Sequence, residues 1–312
     1  MIYGLGAGIV WAAETLLLSF VLAAGIFEGS KEAIFLAPFV TAFFNDTFSC
    51  TYVFFYRKAN KTLRRNNIFN ALKTKRGKLL LLSGLCGGPL GMGSYLLAIK
   101  YIGASYTSVI SALYPAIGSV IAWLFLRELL SKKQLAGLAL CTLGTIGIVG
   151  LPGGFSGNPI YFLFAFSCAL FWGLEAVISS QAMKDGNISS EDALQIRHLT
   201  SILCYGVIFL PLLGAWNFTL QIFLLPQTLV LFVVTALLET CSYLLYYKAI
   251  SKIGAPKAMS LNVTYIVWAV LLGIFVLKEI PKAFVLVSMA VLLLGVLFVV
   301  TQANKHEEKS TV

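Results

Sequence analysis

The chain has 312 residues, of which 59% are hydrophobic and only 12% charged, and its mean hydropathy is +0.88. Soluble globular chains carry about 25% charged residues, so these values exclude a water-soluble domain and imply a polytopic membrane protein. The net charge of +10 does not imply nucleic acid either, because no base-stacking or groove-reading motif accompanies the basic residues.

Apolar runs predict ten membrane spans, at 2–26, 34–56, 78–100, 105–127, 134–151, 159–183, 192–214, 226–250, 255–278 and 282–303. The first run is too long for a signal-peptide core and has no basic leader, so it reads as a retained helix. After the second run, nine Lys and Arg and no acid lie between Arg57 and Lys78. That block reads as a cytoplasmic anchor loop that can touch anionic lipid. Ten spans then place both termini in the cytoplasm. On that topology the inside segments hold eighteen basic residues against four outside, with Arg197 left over. Gly103 and Gly254 read as turns after the third and eighth spans. The uncharged stretch "LPGGFSGNP", 151–159, reads as an outside hinge, and 305–312 as a polar cytoplasmic tail. The six cysteines stand singly in apolar segments and read as small hydrophobes rather than disulfides or metal ligands.

An internal repeat organises the chain. "AIKYIGAS" at 98–105 aligns with "AISKIGAP" at 249–256, a shift of 151 residues. The same shift pairs Tyr114 with Tyr265, Tyr95 with Tyr246, Asp46 with Arg197, and Arg127-Glu128 with Lys278-Glu279. A shift of 161 pairs Trp11-Ala12-Ala13-Glu14 with Trp172-Gly173-Leu174-Glu175. The fold class expected is therefore an all-α membrane protein of five helices plus five, 1–151 and 159–304. Because five is odd, the halves are inverted, an arrangement that suits alternating access.

The repeat resembles the EamA family of the drug/metabolite transporter superfamily across essentially the whole chain. Four stretches, "GPLGMGSYLLAIKYIGASYTSVISALYPAI" (88–117), "FWGLEAVISSQAM" (171–183), "SYLLYYKAI" (242–250) and "LNVTYIVWAV" (261–270), are similar to the LicB-type bacterial choline permeases. The resemblance implies a multi-pass transporter of the bacterial plasma membrane and, within it, a choline site.

Catalysis finds little footing. There are two histidines, His198 and His306, and no HExxH, GxSxG or P-loop pattern, so neither an enzyme nor a cofactor is expected. The ionisable residues inside the spans are Glu14, Asp46, Glu175, Arg197 and Glu239. Charges in so apolar a setting are costly, and they default to functional roles. Four acids against one base point to a cation site with some of the acids protonated when no cation is bound. Aromatics accompany them at helical spacing: Trp11 with Glu14, Trp172 with Glu175, Tyr265 with Trp268, and Glu239 with Tyr243, Tyr246 and Tyr247. Rings hold a cation that cannot be hydrogen-bonded, such as trimethylammonium, by about 0.5–2 kcal/mol each. Each ring can equally pack helix on helix, and Glu175 can equally bond another helix. Trp123 and Trp216 read as interfacial, the latter in an outside loop.

Carried onto this chain, the family's choline site implies Trp11, Trp172, Glu175, Tyr243, Tyr246, Tyr265 and Trp268, with Glu239 matching an acid of the same branch and Glu14 departing from it. Asp46 and Arg197 form either a structural salt bridge or a gate, and Arg197 is expected near the cytoplasmic start of its span, away from the cage. The Gly-rich "GLCGGPLGMGS", 84–94, either loosens a helix beside a cavity or packs helices closely. The function expected is secondary transport of a small organic cation, choline or a related quaternary amine, with proton coupling through Glu175 or Glu239. The rival is an EamA-type exporter of amino acids or other metabolites.

Overall fold

The computed structural model describes residues 1–22, 25–60, 68–127, 130–149, 158–278 and 282–301. Part of the basic loop (61–67), Glu128, Glu279, most of the Gly/Pro hinge and the 305–312 tail lie outside the described residues. The described residues are helices joined by short turns, without a strand among them. In chain order the principal helices are α1 (Ile2–Leu22), α2 (Lys31–Ala59), α3 (Lys75–Leu85), α4 (Gly93–Ser111), α5 (Tyr114–Leu126), α6 (Lys132–Val149), α7 (Phe162–Met183), α8 (Ser190–Cys204), α9 (Pro226–Ile253), α10 (Ala255–Asn262), α11 (Tyr265–Leu272) and α12 (Ala283–Val300). Among the described residues, seven helical stretches are long and apolar enough to cross a membrane, and α1 and α5 contribute two shorter apolar helices.

Local chemistry sets the ends. Ser30 accepts the Ala33 amide at 3.0 Å to open α2. Ser189 and Asp192 close a capping box on α8. Gly254, at φ +77°, ends α9, and Pro256 begins α10 where no amide donor is needed. Its repeat mate Gly103 behaves differently: α4 runs through it to Ser111, so the predicted turn there is corrected. An interior Gly costs a helix only about 1 kcal/mol. No proline follows Gly103 as Pro256 follows Gly254, and the break waits for Ala112-Leu113 ahead of Pro115. A like break at Val263-Thr264 stands 151 residues on, and so do the two left-handed residues Arg127 (φ 55°) and Lys278 (φ 60°).

Other boundaries moved as well. Arg57 does not lie in the basic loop. It is 0% exposed on the last turns of α2 and forms an ion pair with Asp192 of α8, because a buried guanidinium needs an acid beside it. Trp216 opens a short helix, Trp216–Phe223, rather than lying in a loop, and its ring meets Phe43 at 5.5 Å. All six cysteines are free; Cys241 is exposed on the bundle's exterior and Cys204 half-buried.

The helices pack in reciprocal pairs. α1 lies on α9 and α7 on α3 and α4, while α2 meets α8, α5 meets α10, and α6 meets α12. The α6–α12 contact is made by small residues: a Cβ on Gly295 would lie 2.6 Å from the Gly137 carbonyl oxygen and the Cys141 nitrogen. Gly144 sits equally close to the Leu292 backbone. Gly144→Val therefore forces these helices apart and is expected to cost about 1–3 kcal/mol or more. Thermal unfolding of the purified variant checks this, and a melting temperature equal to wild type would contradict the close approach.

Candidate functional site

The centre of the bundle is built from one residue or one face of each of several helices. α1 supplies Trp11, α5 Tyr114, α7 Trp172 and Glu175, α9 Tyr243 and Tyr246, α10 Asn262, and α11 Tyr265. These eight side chains line one cavity of about 30 Å³, room for one or two water molecules. The rings close on one another. Trp11 meets Tyr243 at 5.2 Å, Trp172 at 6.3 Å and Tyr265 at 6.3 Å, and Tyr114 stands edge-on to Trp172 at 6.1 Å.

Space for the α7 side chains comes from the Gly-rich stretch. Cys86–Met92 winds as a wide helical turn containing Pro89, which cannot complete the regular ladder. A Cβ on Gly87 would overlap the Glu175 carboxyl group, and one on Gly91 the Trp172 indole. Both readings of this stretch are thus met: the backbone is loosened, and protein packs tightly over it.

Glu175 is buried and its partners are specific. Tyr247 donates its hydroxyl proton to Oε1 at 2.8 Å, and Arg197 Nε lies 3.4 Å from the same oxygen. Both contacts fall on Oε1, leaving Oε2 as the second acceptor. Arg197 is the hub of a polar cluster next to the cavity. Its Nη1 bonds Asp46 Oδ1 at 2.6 Å and lies 3.9 Å from Glu239 Oε1, while its Nη2 donates to the Tyr243 hydroxyl at 3.0 Å. Asp46 is held further by Ser201 and by His198 Nδ1 at 2.7 Å. Ser49 Oγ reaches Glu239 Oε2 at 3.5 Å.

The Asp46–Arg197 pair expected from the repeat is therefore present as a salt bridge. The expected distance between Arg197 and the cage is corrected: the residue stands mid-way along α8, in contact with the cage acid. Sequence position gave its depth wrongly because α8 begins at Ser190, leaving two helical turns before Arg197.

Of the nine residues expected to bind substrate, the structure brings six to the cavity: Trp11, Trp172, Glu175, Tyr243, Tyr246 and Tyr265. Glu14, Glu239 and Trp268 are not on its wall. Glu14 is buried, 6% exposed, on α1. Trp268 keeps a buried indole N–H without a hydrogen-bond acceptor among the described residues. Tyr114, Asn262, His198 and Ser201 were missed. Tyr114 carried a signal, since it is the repeat mate of Tyr265; Asn262 carried the weaker one of a lone amide in an apolar run. Among the described residues, no group of three or more His, Cys, Asp and Glu is arranged to hold a metal ion.

The family model for the EamA-like transporter family matches residues 1–150 and 159–301. The chain belongs to this EamA-like transporter family. It is a multi-pass membrane protein of a transporter family rather than a lone buried cluster looking for a reaction. Among curated relatives, Protein LicB of Haemophilus influenzae is 34% identical over 230 residues, covering 73% of this chain and 76% of the relative. A crystal structure 16% identical in sequence superposes with a TM-score of 0.69 over 98% of each chain, which shows that the two share the fold.

Proposed function

We propose that this EamA-like transporter moves a small organic cation, choline or a related quaternary amine, across the bacterial plasma membrane by alternating access, as uptake and coupled to protons. The observation that carries the reading is the cavity wall itself. Six aromatic rings converge with one carboxylate, Glu175, and among the described residues no side chain with a full positive charge lines that wall. Rings attract a methylated ammonium without needing hydrogen bonds, and the carboxylate offsets its charge. The similarity to LicB, and the resemblance of four stretches to the choline branch, support the same substrate class.

The cycle follows from a five-plus-five inverted repeat, 1–151 and 159–304, with both termini and the 305–312 tail cytoplasmic. Supporting it, the family model matches in two segments of like length, and the helix contacts exchange as a two-fold axis requires. α1–α9 and α7 with α3–α4 are each other's counterparts, as are α1–α11 and α7–α5, while α2–α8 and α6–α12 map onto themselves. The rings stand 5.2–6.3 Å apart around a space of about 30 Å³, so substrate entry requires the rings of α1 and α7 to part from those of α9 and α11.

The rival substrate, an amino acid or other zwitterion, needs a cationic partner for its carboxylate. Arg197 is close, but its guanidinium is committed to Asp46, Tyr243 and Glu175 and does not line the cavity. Thermal-shift screening of the purified protein tests the reading. Choline and its analogues are expected to raise the melting temperature at millimolar levels, amino acids to leave it unchanged, and Trp172→Ala to lose the choline response. Stabilisation by amino acids with none by choline would overturn it.

A further inference from the structure

Asn262 is the last residue of α10, where the chain pauses at Val263-Thr264 before α11. It lines the cavity and is only 6% exposed. Its amide meets one side-chain neighbour. The Tyr114 hydroxyl donates to the Met259 carbonyl oxygen at 3.2 Å and accepts from the Asn262 amide nitrogen Nδ2 at 3.1 Å. One end of the amide is thus used on Tyr114, and the other, Oδ1, has no hydrogen-bond donor among the described residues.

A buried carbonyl oxygen without a donor is costly, and such groups are normally satisfied. The remaining source of a donor at a cavity wall is the cavity's occupant. We infer that Asn262 reads the neutral end of the substrate: its Oδ1 accepts a hydrogen bond from a hydroxyl whose ammonium faces Glu175. The inference rests on the organic-cation reading above and narrows it to amino alcohols. The same geometry rejects the oxidised counterpart, a quaternary ammonium bearing a carboxylate. That ligand would bring an acceptor to an acceptor at Asn262, and a second negative charge into the cavity of Glu175.

The test uses the full-length protein and three probes of matched headgroup: choline, n-propyltrimethylammonium (a methyl in place of the hydroxyl) and trimethylglycine (a carboxylate). Dissociation constants are measured by calorimetry or thermal shift. Wild type is expected to bind choline about five- to tenfold more tightly than the propyl analogue, with trimethylglycine weakest. In Asn262→Leu the choline preference disappears while the propyl analogue binds within about twofold of wild type. Asn262→Ala gives the same collapse of preference and serves if the leucine variant does not fold. Equal binding of choline and the propyl analogue by wild type overturns the inference, and so does a preference that survives both substitutions. Binding of none of the three, with stabilisation by amino acids, is a different result: it overturns the organic-cation reading on which the inference stands.

Discussion

Glu175→Gln is expected to weaken choline binding by about thirtyfold or more while leaving the protein folded. Truncating one partner of a buried charge pair costs about 2–5 kcal/mol, which is at least that factor in affinity. Glutamine has the volume of glutamate, so it fits the space left by Gly87, and its carbonyl oxygen can still accept the Tyr247 hydroxyl now bonded at 2.8 Å. Arg197 loses one anion at 3.4 Å but keeps Asp46 at 2.6 Å. The variant thus removes the charge that faces the cavity and little else. Binding measured by calorimetry, beside the melting temperature without ligand, separates two roles. A counter-ion loses affinity with little loss of stability. A carboxylate that only ties α7 to α8 and α9 lowers the melting temperature and leaves affinity nearly unchanged, and that outcome would remove Glu175 from the binding site.

This prediction rests on a residue that was legible in the sequence, and the reason shows where legibility stops. Trp11-x-x-Glu14 and Trp172-x-x-Glu175 have the same spacing, yet only Glu175 reaches the cavity. Spacing fixes how two side chains on one helix relate to each other. It does not fix how the helix is rotated against its neighbours, and that rotation is set by contacts distant in sequence. At α7 the missing Cβ atoms of Gly87 and Gly91 let acid and indole both turn inward. At α1 the acid is buried as well but does not line the cavity. The repeat was more informative than spacing because it is a long-range signal. It paired Asp46 with Arg197 across 151 residues, and the two bond directly. The repeat still misplaced a turn at Gly103, since a glycine alone does not end a helix and the proline that makes Gly254 a terminus has no counterpart there. Asn262 and His198 escaped for a simpler reason: each is a single polar residue whose meaning lies in Tyr114 or Asp46, on other helices.

The second large effect is at the hub. Arg197→Leu is expected to destabilise the fold by about 3–5 kcal/mol, because it leaves buried acids without their cation. Among the described residues, Asp46 then keeps Ser201 and His198 without a guanidinium, Glu175 keeps Tyr247, and Glu239 keeps Ser49. Arg197→Lys does not restore the arrangement. A single ammonium cannot reach Asp46, Glu175 and the Tyr243 hydroxyl together, as the planar guanidinium does with three separate nitrogens. The informative comparison is the double variant Asp46→Leu/Arg197→Leu. If the pair served only each other, removing both would return most of the lost stability, because two leucines leave no uncompensated charge between them. The geometry predicts partial recovery instead, since Glu175 and Glu239 also lean on Arg197 and stay behind. Melting temperatures of the two single variants and the double variant, read as a cycle, measure that difference. Complete recovery would make Asp46–Arg197 an isolated structural pair. Partial recovery, with the remaining loss returned by adding Glu175→Gln, would tie the substrate's counter-ion to the same cation that holds α2 and α8 together.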